Sequence, residues 1–177
     1  MILIISLCKE KLHELEFVKP IEKIVGKNYF VKNYKEVGKA DLEKAEKVII
    51  PGTSLKDFEY LDNLDQFSWI KDFSKPVLGI CAGSQIIHLI FSGKLVNDVE
   101  MGFVNSTFGN FLGIKKGEHK VYALHNKSAY SDEFDVYAES NPLHSYHATK
   151  HCKKEIYGVL FHSEVLNPEL IENFVNL

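Results

Sequence analysis

"VLGICAGSQIIHLIF", residues 77–91, decides how the rest of the chain is read. Four apolar or small residues lead into Cys81. Gly79, Ala82, Gly83 and Ser84 then surround the thiol with almost no side-chain bulk, and an apolar run of helical character follows. A strand, a sharp corner and a helix are the reading. Such a corner lifts a side chain out of the sheet edge into the crevice where α/β folds bind ligands. Small neighbours permit the strained backbone of an elbow, as in G-x-S-x-G hydrolases. The first turn of the helix offers free N–H groups and a positive dipole end, which favour thiolate. The N–H of Ala82 is then a natural oxyanion donor. Taken alone, G-x-C-x-G fits a tight packing corner equally well.

Working outward, the first half of the chain alternates. Residues 2–7 form a short apolar, β-branched run that predicts a buried strand. Residues 11–25 carry apolar side chains at helical spacing, and Gly26 stops them. Residues 28–33 read as strand, 41–45 as a short helical turn, and 47–50 ("KVII") as a third strand ending in Pro51-Gly52. Residues 54–73 hold one or two helices with Ser54 as N-cap. Residues 76–80 are a fourth strand and 82–91 the helix after it. Strands separated by helices predict a mainly parallel sheet covered on both faces. From residue 94 to 161 come short Val-, Phe- and Tyr-rich segments between Gly, Asn and Ser, such as "KVYALH" and "IYGVLFH". These predict antiparallel strands, and a last helix spans 168–175. One α/β domain over residues 1–177, with a β-rich second half, is the expected organisation.

Composition narrows the function. A net charge of −3 without long runs of like charge argues against a nucleic-acid platform. All 21 basic residues are lysine, so no guanidinium fork is available to grip phosphate or carboxylate. Cys8, Cys81 and Cys152 are widely spaced, and no CxxC or CxxH pair suggests a disulfide framework or a metal site. That usage predicts a reducing, cytoplasmic setting. The N-terminal "MILIISLCKE" lacks a basic lead and a cleavage site, and is too short to span a membrane.

A nucleophilic thiol needs a base. Of the eight histidines, His162 stands out, because it ends the best strand of the second half and Glu164 lies two residues on. In an extended segment residues i and i+2 share a side. Glu164 can therefore bond one ring nitrogen of His162 while the other faces the thiol. Cys81, His162 and Glu164 make a nucleophile, a base and an orienting acid.

"GICAGSQ" together with "YGVLFHSEV" resembles the class I glutamine amidotransferases, whose signatures are G-x-C-x-G-x-Q and G-V-Q-F-H-P-E. "KVIIPGTS" falls where that family has its oxyanion strand, and "YALHNKSAY" where it has a His-containing loop against bound glutamine. Residues 148–165 look closest to the glutaminase subunits of GMP synthetases. The resemblance implies a flavodoxin-like amidotransferase fold. It implies that Cys81 attacks the glutamine side-chain amide, that His162 held by Glu164 moves the proton, and that no cofactor or metal takes part. Backbone N–H groups of Gly52, Thr53 and Ala82 would hold the oxyanion. Gln85 would contact glutamine, as would His125 and Asn126, mainly through backbone. Ammonia would pass to a partner synthetase, since only 13 residues follow Glu164. Three positions depart from the family pattern. Leu160 replaces Gln, and Ser163 replaces a Pro that would stiffen the loop placing Glu164. Thr53 replaces Gly, and is strained there if the position needs positive φ. These departures keep two other readings open: a non-catalytic binding relative and a stand-alone hydrolase of γ-glutamyl amides.

Overall fold

The computed structural model describes all residues, 1–177. Five short strands run parallel: β1 (Ile2–Ser6), β2 (Tyr29–Asn33), β3 (Lys47–Ile50), β4 (Val77–Ile80) and, far along the chain, Ile156–Val159. Between the last two lie four antiparallel strands, β5 (Lys94–Phe108), β6 (Gly117–Tyr130), β7 (Phe134–Ser140) and β8 (Tyr146–His151), which makes Ile156–Val159 the strand β9. All nine join one sheet in the order β2-β1-β3-β4-β9-β8-β7-β5-β6. The helices are α1 (Glu14–Phe17), α2 (Lys19–Val25), α3 (Lys39–Lys44), α4 (Ala82–Ile90), α5 (Ser163–Leu166) and α6 (Pro168–Val175).

The inner parallel strands β1, β3, β4 and β9 are apolar at nearly every position because both faces are covered, while the edge strand β2 is only half-buried. In β1, Ile2 and Ile4 enter one core with Phe17, Ile21, Leu170 and Phe174 from α1, α2 and α6. Leu3 and Ile5 enter the opposite core with Ile86, Ile87 and Ile90 of α4 and Phe67 and Ile70. Helices on both faces of a largely parallel half, and a β-rich second half, are therefore as the sequence predicts.

Three local readings change. The helical run 11–25 is a 3₁₀ turn (Lys11–His13) and two short helices, because Pro20 starts a new helix at its second position. Ser54 caps nothing. The segment it precedes is a 3₁₀ helix, Glu59–Lys71, kinked at Asn63. His162 does not end a strand. β9 stops at Val159, and it pairs parallel to β4 as well as antiparallel to β8.

Candidate active site

Three adjacent parallel strands, β3, β4 and β9, end side by side, with Ile50 beside Gly79 and Ile80 beside Val159. Each strand continues directly into one predicted component. The oxyanion segment follows β3, Cys81 follows β4, and His162 lies three residues beyond β9. Their meeting is thus a consequence of sheet order at the carboxyl edge, where α/β sheets bind ligands.

Cys81 is the corner itself, with φ 50° and ψ −106°, a region that costs a side-chain-bearing residue free energy. The corner is held by its neighbours. The Cys81 N–H donates to Val159 O at 2.8 Å, and Gln85 N–H to Cys81 O at 3.1 Å. A Cβ on Gly83 would stand 1.9 Å from the Ile50 carbonyl oxygen, and one on Gly79 2.5 Å from the Gly83 backbone. These two glycines let α4 lie directly on β3 and β4. The thiol is buried and reaches the Leu124 carbonyl of β6 at 3.6 Å.

His162 is buried as well. Its Nδ1 meets Glu164 Oε1 at 2.7 Å, while Nε2 has no hydrogen-bond partner. The i, i+2 pairing holds, but for a different reason from the extended geometry expected. Glu164 is in the first turn of α5, closed by Val165 N–H donating to His162 O at 3.1 Å. Tyr122 O of β6 accepts the His162 N–H at 2.8 Å. Burial disfavours the imidazolium. The charge and hydrogen bonding of Cys81, then those of Glu164, outweigh it and raise His162 well above the ordinary histidine value.

Gly52 and Thr53 complete the wall. A Cβ on Gly52 would lie 2.9 Å from His162 Cε1 and 3.4 Å from Cys81 Cβ, so the missing side chain lets the segment after β3 approach both. The N–H groups of Gly52 and Thr53 donate to no protein acceptor. Neither residue has positive φ, so the β-branched Thr53 carries no left-handed strain. Gln85, His125 and Asn126 line the same small cavity as Thr53, Cys81 and Ala82.

The family profile for glutamine amidotransferase class-I matches residues 19–176. The chain belongs to the class I glutamine amidotransferases. It is 31% identical over 122 residues to a glutamine-hydrolyzing GMP synthase subunit of Methanobrevibacter smithii, covering 62% of this chain and 63% of that one. It is 34% identical over 110 residues to the glutamine-hydrolyzing GMP synthase of Staphylococcus aureus, covering 56% of this chain and 21% of the relative. The matched stretch is thus less than two thirds of either relative's length. A solved structure from Thermoplasma acidophilum, described as a GMP synthase subunit, superposes with TM-score 0.84 at 22% identity over 99% of this chain and 92% of that one. A glutamine amidotransferase of Thermotoga maritima superposes with TM-score 0.71 at 14% identity, over 98% and 90% respectively. These two share the fold.

Set against the amidotransferase pattern, the predicted residues do gather at one place, but several are tied up in ways the sequence did not suggest. The Gln85 amide is held at both ends, its oxygen accepting from Tyr60 Oη at 2.7 Å and its nitrogen donating to Lys127 O at 2.8 Å. Asn126 Nδ2 donates to Leu55 O at 3.3 Å, closing residues 54–58 onto β6. The cavity is consequently narrow, about 20 Å³, room for one water. His125 is buried with both ring nitrogens unpartnered, and Asp98 Oδ2 lies 3.8 Å away. Burial holds His125 near pKa 4, with Asp98 opposing. Tyr60, Asp57 and the carbonyls of Tyr122 and Leu124 are contributors that sequence reading missed. A main-chain acceptor has no side-chain signature, and Tyr60 and Asp57 lay in a stretch read as helix.

No group of three or more potential metal-ligating side chains occurs, and no helix is long and apolar enough to cross a membrane.

Proposed function

We propose that the chain is a glutaminase domain or subunit. It hydrolyses L-glutamine to glutamate and ammonia through Cys81, His162 and Glu164, and delivers the ammonia to a partner synthetase. The observation that carries this reading is the strained Cys81 elbow facing a buried His162–Glu164 pair at 2.7 Å. Cys81 Sγ attacks the side-chain amide carbon. Burial disfavours the His162 imidazolium, but Cys81 and Glu164 outweigh it and raise His162 above the ordinary histidine value, and His162 carries the thiol proton to departing ammonia. The N–H groups of Gly52, Thr53 and Ala82 take the oxyanion. Water, activated by His162, then cleaves the glutamyl thioester. Gln85, His125 and Asn126 hold the substrate, which enters when the Asn126 amide releases the Leu55 carbonyl. The archaeal relative is itself named as one subunit of a GMP synthase, and the match spans only a small fraction of the Staphylococcus enzyme. Both facts support an acceptor carried on further protein.

The closed cavity favours one rival, a non-catalytic binding role. A glutamine-mimicking diazo-ketone decides between them. Glutamine-protectable alkylation of Cys81, lost in Cys81→Ala together with all hydrolysis, is expected. No labelling in the presence of every candidate synthetase supports the rival, and hydrolysis retained by Cys81→Ala removes the triad.

A further inference from the structure

The oxyanion segment has almost no regular hydrogen bonding of its own. No backbone acceptor takes the N–H of Gly52, Thr53 or Ser54. Yet two of those groups must stay fixed against Cys81, and an unrestrained residue loses on the order of 1–2 kcal/mol of conformational entropy on fixing. Something else has to hold the segment.

The Asp57 N–H to Ser54 O bond (2.8 Å) and Asn126 to Leu55 O hold its far end, and one carboxylate holds Thr53 itself. Asp57 Oδ2 accepts the Lys9 N–H at 2.7 Å and the Thr53 Oγ1–H at 3.2 Å. Asp57 is 9% exposed, and its second oxygen is unpartnered inside the protein. The two donors come from different places: Lys9 follows β1, and Thr53 follows the neighbouring β3. The carboxylate therefore ties two strand exits together at the carboxyl edge of the sheet. Burial pushes Cys8 up, and the Thr53 and Ser6 hydroxyls act against it. This arrangement gives a physical reason for threonine at position 53. Glycine offers no hydroxyl, and valine has the shape without the donor.

We propose that Asp57 is a positioning residue for the oxyanion donors, acting through the Thr53 hydroxyl. The proposal rests on the glutaminase reading above. Asp57 does not touch the reacting atoms. It fixes the segment whose amides do.

The test separates a positioning role from a structural one by its kinetic signature. Thr53→Val and Asp57→Ala should each lower kcat about 10–100-fold with KM changed less than about 3-fold, because misplaced oxyanion donors weaken only the transition state. Thr53→Ser and Asp57→Asn, which keep a donor and an acceptor, should recover most of the lost turnover. The double variant Thr53→Val/Asp57→Ala should be no slower than its slower parent, as expected of groups acting as one unit. Hydrogen exchange of the amides of residues 52–55 should be about 10-fold faster in Thr53→Val. Additive losses, a KM effect in place of a kcat effect, or unchanged kcat and exchange in Thr53→Val overturn the proposal. If Asp57→Ala does not fold, the isosteric Thr53→Val decides alone. A wild-type chain that never turns over glutamine removes the glutaminase reading and the positioning role together. Normal wild-type turnover with an indifferent Thr53→Val removes only the positioning role.

Discussion

The two halves of the sheet hold their parts of the site by different means. In the parallel half, backbone presses on backbone. Gly79 and Gly83 leave α4 in direct contact with β3 and β4, and the Cys81 corner is the product of that contact. In the antiparallel half, buried polar side chains do the fixing. Glu100 of β5 accepts from His147 Nε2 of β8 at 2.6 Å and from the Ser140 hydroxyl of β7, inside the sheet. Burial pushes Glu100 up, but hydrogen bonding to His147 and Ser140 outweighs it and keeps the carboxyl below the usual carboxylate range. The first half should be intolerant of added atoms, the second of altered charge.

The largest expected effect tests the first statement. Gly83→Ala puts a methyl 1.9 Å from the Ile50 carbonyl oxygen, and backbone cannot yield as a side-chain tip can. A loss of about 4–5 kcal/mol, or no soluble folded protein, is expected. Urea titration of the variant checks it. A loss below about 1 kcal/mol means that α4 shifts easily, and the contrast between the halves fails.

The second statement is tested by Glu100→Ala. It leaves His147 and Ser140 buried without their acceptor and should cost about 3–5 kcal/mol. Replacing Glu100 and both of its donors, as in Glu100→Leu/His147→Phe/Ser140→Ala, should recover most of it, because the cost lies in the orphaned groups. If the triple variant is no better than Glu100→Ala, the cluster has a further role that charge alone does not describe.

Acid should attack the same seam. His88 of α4 bonds Thr149 Oγ1 of β8 at 3.0 Å, so it joins the two halves. Burial lowers His88 to about 4, and burial, opposed by Asp98, lowers His125 to about 4. Both folded-state values lie below the unfolded value near 6.5, so the unfolded chain binds more protons between about pH 6.5 and 4. The share of stability set by these two histidines is full above about 6.5 and falls as pH drops through that window. From about pH 6.5 to 5 each histidine should cost about 1.5 kcal/mol. His88→Gln should lessen the slope in urea midpoints against pH, with His125 and His151, also lowered by burial, still contributing. An unchanged slope would place the acid sensitivity elsewhere.

This contrast also explains what could be read from sequence. Close backbone contact demands glycine, so "GICAG" announces its geometry in one-letter code. The chain order of parallel strands and helices follows from apolar periodicity. The antiparallel half keeps its logic in pairs far apart in sequence, such as Glu100 with His147, and in carbonyls such as Tyr122 O and Leu124 O that any residue could supply. Gly102, at φ 100°, and the bulge between Asn97 and Glu100 broke the apparent pattern of β5, so a 15-residue strand read as fragments. His162 and Glu164 do pair, although the extended geometry expected of them is replaced by a helical turn.

That turn supplies the smallest test. Ser163, first residue of α5, is fully buried with an unpartnered hydroxyl, and its N–H donates to no backbone acceptor. The first position of a helix suits proline, whose fixed φ is already helical and whose missing N–H is not needed. The loosening expected from losing proline there is offset by the α5 turn, which holds Glu164 against His162 without it. Ser163→Pro should therefore stabilise by about 0.5–1 kcal/mol through the unfolded chain, with kcat unchanged. A rise in melting temperature with unaltered turnover fits a half governed by backbone shape. A fall would show that the ring meets a neighbour at a site where the backbone has no spare room, which is the rule Gly83 obeys extended to the base.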